Sequence, residues 1–231
     1  MHPPDRTHRS KEEPVTRLRD LLAGPLPGNT AHRTALPANY GPRALPPGAK
    51  VSRAAVLLAL HPDRSGQRII FPLVRRPESM LRHAGQVGLP GGERGEGEDA
   101  SACAKREAWE EIGIDPASVE ELGRLTPIVI PVSLYQVETI VGWLARTPTL
   151  RAQEAEVLRI IHGDPDRLAE EGPTCWVERE REGEILRFPA YRIQGETVWG
   201  ATALILAEFL TVWRHVRGLT QPPTGSGEMH R

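Results

Sequence analysis

The stretch "GGERGEGEDASACAKREAWEEIG", Gly91–Gly113, decides the fold of this chain of 231 residues. Its leading glycines predict a turn, the run that starts near Ala100 predicts a helix, and Gly113 predicts the end of that helix. Seven carboxylates fall within these 23 residues, although the whole chain carries a net charge of only −1. Such a concentration of negative charge requires a physical reason.

Three of the carboxylates share one face of the predicted helix. Each helical residue advances by about 100°, so Glu107, Glu110 and Glu111 fall within a wedge of about 100°. Like charges at this spacing repel, and the helix dipole disfavours negative charge near the C-terminus. A bound divalent cation would remove the conflict, because Mg²⁺ takes oxygen ligands. The alternative is a solvated helix face with Lys105 and Arg106 as counter-ions.

The spacing of the stretch resembles the Nudix box. The resemblance implies the Nudix fold, an α/β fold in which a mixed β-sheet is sandwiched between helices in a single domain. It also implies metal-dependent hydrolysis of a nucleoside diphosphate linked to another group. The positions that carry the resemblance are Gly92, Glu98, Arg106, Glu107, Ala108, Glu110, Glu111, Gly113 and Ile114.

The same resemblance implies roles for the residues of the box. The cofactor is Mg²⁺ or Mn²⁺, one glutamate also acts as a base, and Glu98 is the partner of Arg106, orienting the carboxylates. The backbone carbonyl of Gly91 is a further candidate ligand. The catalytic candidates are therefore Glu107, Glu110, Glu111, Arg106 and Glu98, and the metal candidates are Glu107, Glu110, Glu111 and Gly91.

The segment before the box, "LVRRPESMLRHAGQVGLPGG", is similar to the element that precedes the box in coenzyme A pyrophosphatases. Leu73, Arg76, Gly85 and the run at 90–92 match that element. Val74, Pro77, Leu81 and Leu89 depart from it. With similar segments at 131–133 and 188–206, the resemblance covers roughly residues 54–212. It implies hydrolysis of coenzyme A or its thioesters to 3′,5′-ADP and 4′-phosphopantetheine.

Cationic side chains next to the box are candidates for holding the substrate, because arginine grips phosphate with two hydrogen bonds. The candidate substrate-binding residues are Arg75, Arg76, Arg82, His83, Gly85 and Gln86. Glu156 is a possible additional carboxylate, since it keeps one of the two positions of a Glu-Val-x-Glu motif found in the family.

Two other functions are compatible with the sequence. A Nudix enzyme could act on ADP-ribose, a dinucleotide or a nucleoside triphosphate. The chain could also be a binding module that kept the fold without the chemistry, but Arg106 and the three glutamates are intact, which argues against this alternative. The expected partner is a coenzyme A-like nucleotide, and the sequence is compatible with a homodimer.

The rest of the chain predicts its organisation. Balanced charge gives no basic field for nucleic acid, and no apolar run suggests a signal peptide or a membrane partner, so we expect a cytoplasmic protein. Residues 1–50 hold nine of the 22 prolines and predict an arm with a short helix at 15–24 and an extended stretch at 25–48. The expected Nudix domain spans 51–217, followed by a disordered tail at 218–231. The predicted strands are 54–60, 68–76, 121–130 and 135–145 with a hairpin over 174–193, and the further helices are 164–172 and 197–213.

Overall fold

The computed structural model describes residues 6–41, 45–46, 48–79 and 84–224. Two predicted substrate-binding residues, Arg82 and His83, lie outside these ranges. So do residues 225–231 of the predicted tail. The first part of that tail lies against the domain, where the Thr224 hydroxyl donates a hydrogen bond of 3.3 Å to the carbonyl of Glu170.

The helices and strands alternate irregularly along the described chain. The helices are α1 (Arg6–Leu22), α2 (Asn29–His32), α3 (Ala100–Ile112), α4 (Pro165–Glu171) and α5 (Gly200–Arg217). The strands are β1 (Ser52–Pro62), β2 (Ile69–Arg75), β3 (Val87–Gly88), β4 (Gly91–Glu93), β5 (Glu120–Arg124), β6 (Ile128–Ile130), β7 (Tyr135–Trp143), β8 (Arg159–Gly163), β9 (Cys175–Arg181), β10 (Glu184–Ile193) and β11 (Glu196–Val198).

The main sheet is mixed, as the sequence predicts. Its central path runs β3-β2-β1-β7-β5, while β4 pairs with β1, β6 with β7 and β8 with β2. The neighbours β1 and β7 are parallel over nine residue pairs, from Ser52 opposite Tyr135 to Leu60 opposite Trp143. The other pairs of this sheet are antiparallel. A separate three-stranded sheet has the order β11-β10-β9.

Helices cover both faces of the main sheet, which confirms the predicted α/β sandwich. Strand β1 is buried almost throughout, so its alternating side chains enter two hydrophobic clusters. Leu57 and its neighbours on one face pack against α3. Leu58 and Leu60 on the other face pack with residues of α1 and α5. Each buried leucine contributes about 1.5–3 kcal/mol, so β1 anchors both layers.

The segment predicted as an arm packs on the domain. Helix α1 begins nine residues before the predicted start, and its Leu18 is fully buried in the larger cluster. The stretch 25–48, predicted as extended, contains α2 and a short 3₁₀ helix with buried Ala31 and Ala35. Local prolines suggested an extended chain, whereas burial of these apolar side chains against α5 determines the observed structure. The boundary at residue 50 remains a prediction.

A buried carboxylate of α5 fastens this N-terminal segment. Glu208 is fully buried and accepts hydrogen bonds from the Gly28 backbone N–H at 3.0 Å and the Thr126 hydroxyl at 2.6 Å. It also accepts one from the Thr126 backbone N–H at 3.1 Å and lies 3.0 Å from Nε2 of His32. Burial raises the pKa of Glu208, but the bonds from His32, Thr126 and Gly28 outweigh it and hold the pKa below its usual value.

The predicted elements differ from the observed ones mainly at short strands. The sequence patterns do not predict β3, β4 and β8, since two to five residues are too few for a clear periodicity. The final helix begins at Gly200 with Trp199 as its N-cap, because Thr197 and Val198 belong to β11. The predicted hairpin over 174–193 is confirmed and turns at Glu182 and Gly183. The predicted helix at 164–172 is also confirmed, with Pro165 in its first turn. No helix in the described ranges is long and apolar enough to span a bilayer.

Candidate active site

Helix α3 carries the acidic stretch and has well-defined ends. Asp99 caps its start by accepting hydrogen bonds from the backbone N–H groups of Ser101 and Ala102. Gly113 ends it in the left-handed conformation, with φ of 75°. Its small residues Ala104 and Ala108 are fully buried in the cluster with β1. Their size lets the helix approach the sheet closely, so a glutamate on the same side reaches the interior.

Glu111 is that glutamate, and its carboxylate is only 1% exposed. One oxygen accepts a hydrogen bond from the backbone N–H of Gly91 at 3.1 Å, and the other accepts one from Nη2 of Arg76 at 3.1 Å. Burial raises the pKa of Glu111 to about 7; Arg76 and Gly91 oppose the rise, while the negative charges of Glu107 and Glu156 add to it. The candidate carboxylate Glu156 is therefore electrostatically coupled to Glu111.

Arg106 connects the remaining carboxylates of the stretch. Its guanidinium forms two hydrogen bonds to the Glu98 carboxylate, at 2.8 and 3.1 Å. Its Nη1 donates to Glu107 at 2.7 Å and to Glu110 at 2.9 Å. The bonds from Arg106 and the Gly95 backbone N–H lower the pKa of Glu98 to about 2, so this carboxylate stays ionised at neutral pH.

Two adjacent glycines permit the close approach of β4 to its neighbours. At Gly91, where φ is 155°, an added Cβ would lie 2.3 Å from the carbonyl oxygen of Ala55. At Gly92, an added Cβ would lie 2.5 Å from the carboxylate carbon of Glu107. A side chain at the first position would push β4 away from β1, and one at the second would displace the glutamate. Both glycines therefore fix where the carboxylates sit.

A further arginine, which the sequence patterns do not single out, braces the loop before α3. Arg94 donates from Nε to the backbone carbonyl of Glu98 at 2.9 Å and from Nη1 to Glu138 of β7 at 2.7 Å. The Gly95 backbone N–H donates to the Glu98 carboxylate at 2.8 Å. The loop is thus tied to the sheet and presents Glu98 to Arg106. Within the stretch Arg94 resembles any surface cation, so no sequence signal identifies it.

The two adjacent arginines in the segment before the box point to different places. Arg76 donates to Glu111 and also to the Gly91 carbonyl at 3.2 Å, so it belongs to the carboxylate site. Arg75 instead donates to Glu78 at 3.1 Å and to Glu196 at 3.3 Å. The structure therefore does not bring both candidate phosphate ligands together.

The other two described candidates for substrate binding lie on the loop after β2. The backbone carbonyl of Gln86 accepts a hydrogen bond of 3.0 Å from the backbone N–H of Arg76, and the Gln86 side chain is exposed. Gly85 has φ of 65°, and an added Cβ there would lie 2.3 Å from the Glu78 carboxylate. These contacts place both residues beside the arginine that reaches Glu111.

The oxygen atoms around Arg76 suit a cation. Nη2 of this guanidinium contacts both the Gly91 carbonyl and Glu111, so two predicted metal ligands already converge on one positive group. Glu107 and Glu110 are drawn toward Arg106 instead. Accordingly, the described residues contain no ready-made group of three acidic, histidine or cysteine side chains that could hold a metal ion. Carboxylate and carbonyl oxygens are hard donors, and here they already surround the positive guanidinium group of Arg76. Such donors fit Mg²⁺ or Mn²⁺.

Comparison with known proteins identifies the family. Residues 51–157 match the model of the NUDIX domain. The chain is 34% identical over 151 residues to the uncharacterized Nudix hydrolase NudL of Escherichia coli K12, covering 61% of this chain and 78% of NudL. For NudL of Shigella boydii the identity is 36% over 152 residues, with the same coverage.

Solved structures of similar proteins include a MutT/nudix family protein from Enterococcus faecalis. It shares 16% identity with a TM-score of 0.47, covering 76% of this chain and 71% of that protein. The family assignment rests on the sequence relatives, which are more than 30% identical and are covered over more than two thirds of their length. This chain belongs to the Nudix hydrolase family.

Proposed function

We propose that this Nudix hydrolase cleaves the diphosphate bond of coenzyme A or its thioesters, releasing 3′,5′-ADP and a 4′-phosphopantetheine. The observation that carries the proposal is the position of Arg76. This arginine matches the coenzyme A pyrophosphatase element, and its guanidinium lies on Glu111 and Gly91. The phosphates of a Nudix substrate must approach these carboxylates, and Arg76 places a positive charge at that position.

The proposed metal ligands are Glu107, Glu110, Glu111 and the carbonyl oxygen of Gly91. A divalent cation bound there would neutralise charge on the diphosphate and lower the pKa of an attacking water. One of the glutamates accepts the proton of that water. Arg106, held by Glu98, keeps Glu107 and Glu110 on the same side of α3. Nudix hydrolases in general use divalent metals and act on diphosphate bonds, so this chemistry follows the family.

Arg76 has two roles in this proposal. Without metal it neutralises the buried Glu111. With metal present it cannot share the same two oxygens, because like charges repel. Its guanidinium, 22% exposed, then becomes available to a phosphate of the substrate. The 3′-phosphate of coenzyme A is the group that distinguishes it from other nucleoside diphosphates, and a charge-assisted contact to it contributes about 1.5–3 kcal/mol.

A substrate panel tests the proposal. Coenzyme A, dephospho-coenzyme A, ADP-ribose and a dinucleoside polyphosphate are incubated with the protein and Mg²⁺ or Mn²⁺, and the products are separated. We expect coenzyme A to give the highest kcat/KM. Arg76→Ala should raise KM for coenzyme A roughly ten- to a hundredfold, with a smaller effect on dephospho-coenzyme A.

Arg187 supplies the matched control. It is exposed and pairs with Glu178 on the β9–β10 hairpin, so Arg187→Ala should leave both substrates unchanged. If ADP-ribose or dephospho-coenzyme A is preferred over coenzyme A, the substrate proposal is wrong and a general Nudix diphosphatase remains. If no compound of the panel is cleaved with either metal, the proposed hydrolysis of coenzyme A is wrong.

A further inference from the structure

A large groove lies away from the carboxylate site. Its volume is about 770 Å³, within the range of small-molecule sites. It is bounded by the β1–β2 turn, the loop at 147–150, strand β8, the start of α4 and the end of β10. None of the candidate catalytic or substrate-binding residues lines it. Ile70 in the groove and Arg75 at the other end of β2 are five residues apart, about 17 Å along a strand.

The groove has an apolar floor and a cationic rim. Its apolar side chains are Ile70, Leu150, Ile160, Leu168 and Ile193, and its cations are Arg64, Arg68, Arg167 and Arg192. All four arginines are exposed. A surface of this kind fits an amphipathic anion, which buries its apolar body and leaves its charged group among the guanidinium groups.

The two acidic residues of the groove are already engaged. Asp63 accepts hydrogen bonds from the Ser65 hydroxyl at 2.8 Å and the Gln67 backbone N–H at 3.0 Å, and it pairs with Arg68 at 3.2 Å. Asp164 caps α4 and pairs with Arg68 at 3.5 Å. These carboxylates therefore hold the turn, the helix and Arg68 together, and the charge of Asp164 also acts on Arg167.

Two arginines of the rim lack an acidic partner. Within the described ranges Arg64 forms no hydrogen bond or ion pair. Arg192 donates to two neutral oxygens, those of the Gly195 carbonyl and the Thr197 hydroxyl, and also contacts the Cys175 thiol. Arg167 differs, since it pairs with Glu171 at 2.7 Å. Arg64 and Arg192 come from different elements that line the same groove.

His162 of β8 also lines the groove. Burial lowers the pKa of His162, and the charge of Arg64 lowers it further. Behind it is the fully buried His61, whose ring centroid is 6.0 Å away and whose Nε2 has no hydrogen-bond partner in the described structure. Gln194 fixes the strand by accepting from the His162 backbone N–H at 3.3 Å. An imidazole at this position can donate an N–H to an anion.

We propose that this groove is a second binding site for a small organic phosphate, with the phosphate on Arg64, Arg192 and His162 and the organic body on the isoleucine floor. A phosphate monoester carries nearly two negative charges above pH 7, which matches two unpaired guanidinium groups. Neither the metal nor diphosphate cleavage is needed for this binding. The inference therefore stands independently of the proposed function.

Calorimetry with adenosine 5′-monophosphate as the probe tests the site, in EDTA so that no metal draws the probe to the carboxylates. We expect one equivalent to bind, and adenosine and inorganic phosphate each to bind at least about tenfold more weakly. The double substitution Arg64→Ala with Arg192→Ala should weaken binding of the probe at least about tenfold, as expected for lost charge-assisted contacts. Arg187→Ala is the control for removing a surface charge.

The variants also separate this groove from the carboxylate site. Arg76→Ala should bind the probe as tightly as the unaltered protein. If Arg76→Ala abolishes binding, or if the double substitution leaves it unchanged, the groove is not the site. Equal affinity for adenosine and its monophosphate would overturn the phosphate contact, and equal affinity for inorganic phosphate would overturn the role of the apolar floor. Thermal unfolding of each variant checks that the fold is retained. We expect it to be retained because these arginines are exposed.

Discussion

Replacing the buried Glu111 by glutamine should stabilise the metal-free protein while it destroys activity. The pKa of this carboxyl rises from 4.5 to about 7, so ionisation inside the fold is unfavourable. The corresponding free energy is about 3 kcal/mol above pH 7, in the direction of destabilisation. Glutamine has nearly the same shape without the charge. We therefore expect Glu111→Gln to raise the free energy of unfolding by about 1–3 kcal/mol at pH 8 in EDTA, allowing for imperfect hydrogen bonds.

The dependence on pH gives the sign of the effect. The folded state binds the proton more tightly than the unfolded state, so the stability of the unaltered protein falls as pH rises from about 4.5 to 7 and then levels off. The advantage of Glu111→Gln should follow the same curve and vanish near pH 4.5. Urea denaturation across this range measures it. The control is Glu110→Gln, because Glu110 is 54% exposed and its replacement should change stability by less than about 1 kcal/mol.

Adding Mg²⁺ should make the unaltered protein more stable than Glu111→Gln. A cation present at a thousand times its dissociation constant stabilises the protein that binds it by about 4.1 kcal/mol, which exceeds the advantage of Glu111→Gln without metal. Glu111→Gln should lose most of this gain, and its kcat should fall at least about a hundredfold. A metal-free Glu111→Gln protein that is less stable than the unaltered one at pH 8 would refute the reasoning. Glu111 would then be a structural carboxylate whose hydrogen bonds outweigh its burial.

Three further substitutions test the surroundings of the site and the attachment of the N-terminal segment. Arg106→Ala should lower kcat and metal affinity together, which calorimetry with Mn²⁺ measures, whereas an arginine that is merely solvated would change stability by less than about 0.5 kcal/mol and leave the rate unaltered. Arg94→Ala should weaken metal binding less than Arg106→Ala does, since it acts through the loop that presents Glu98; equal or larger losses would contradict this order. Glu208→Ala should cost about 3–5 kcal/mol in urea unfolding, because it leaves several buried donors without an acceptor, and a change below about 1 kcal/mol would contradict the role of Glu208 as a fastening residue.

The sequence predicts the acidic helix well because the information is local. The cap at Asp99, the alanine face and Gly113 all lie within the helix or beside it, and the box spacing identifies the family. The separation of Arg75 from Arg76 was also accessible in principle. Adjacent residues at the end of a strand point to opposite sides, so the two were unlikely partners for one phosphate.

Long-range partners explain what the sequence could not predict. In the sequence Glu208 is a charged residue on an apolar helix. Its role in attaching the N-terminal segment depends on a hydrogen bond from Gly28, which is 180 residues away. Arg94 depends on Glu138 in the same way. The short strands β3, β4 and β8 form because β1 and β2 provide their hydrogen-bond partners. These features belong to the tertiary structure, and propensity or periodicity carries no signal for them.

The fastening of the N-terminal segment by Glu208 has a consequence for synthesis on the ribosome. At about 5–20 residues per second, the 180 residues between Gly28 and Glu208 take on the order of ten seconds or more to translate. During this interval the apolar face of α1, including Leu18, has no α5 to cover it. The apolar face of α1 therefore stays partly uncovered until α5 emerges, although α1 is made well before α5.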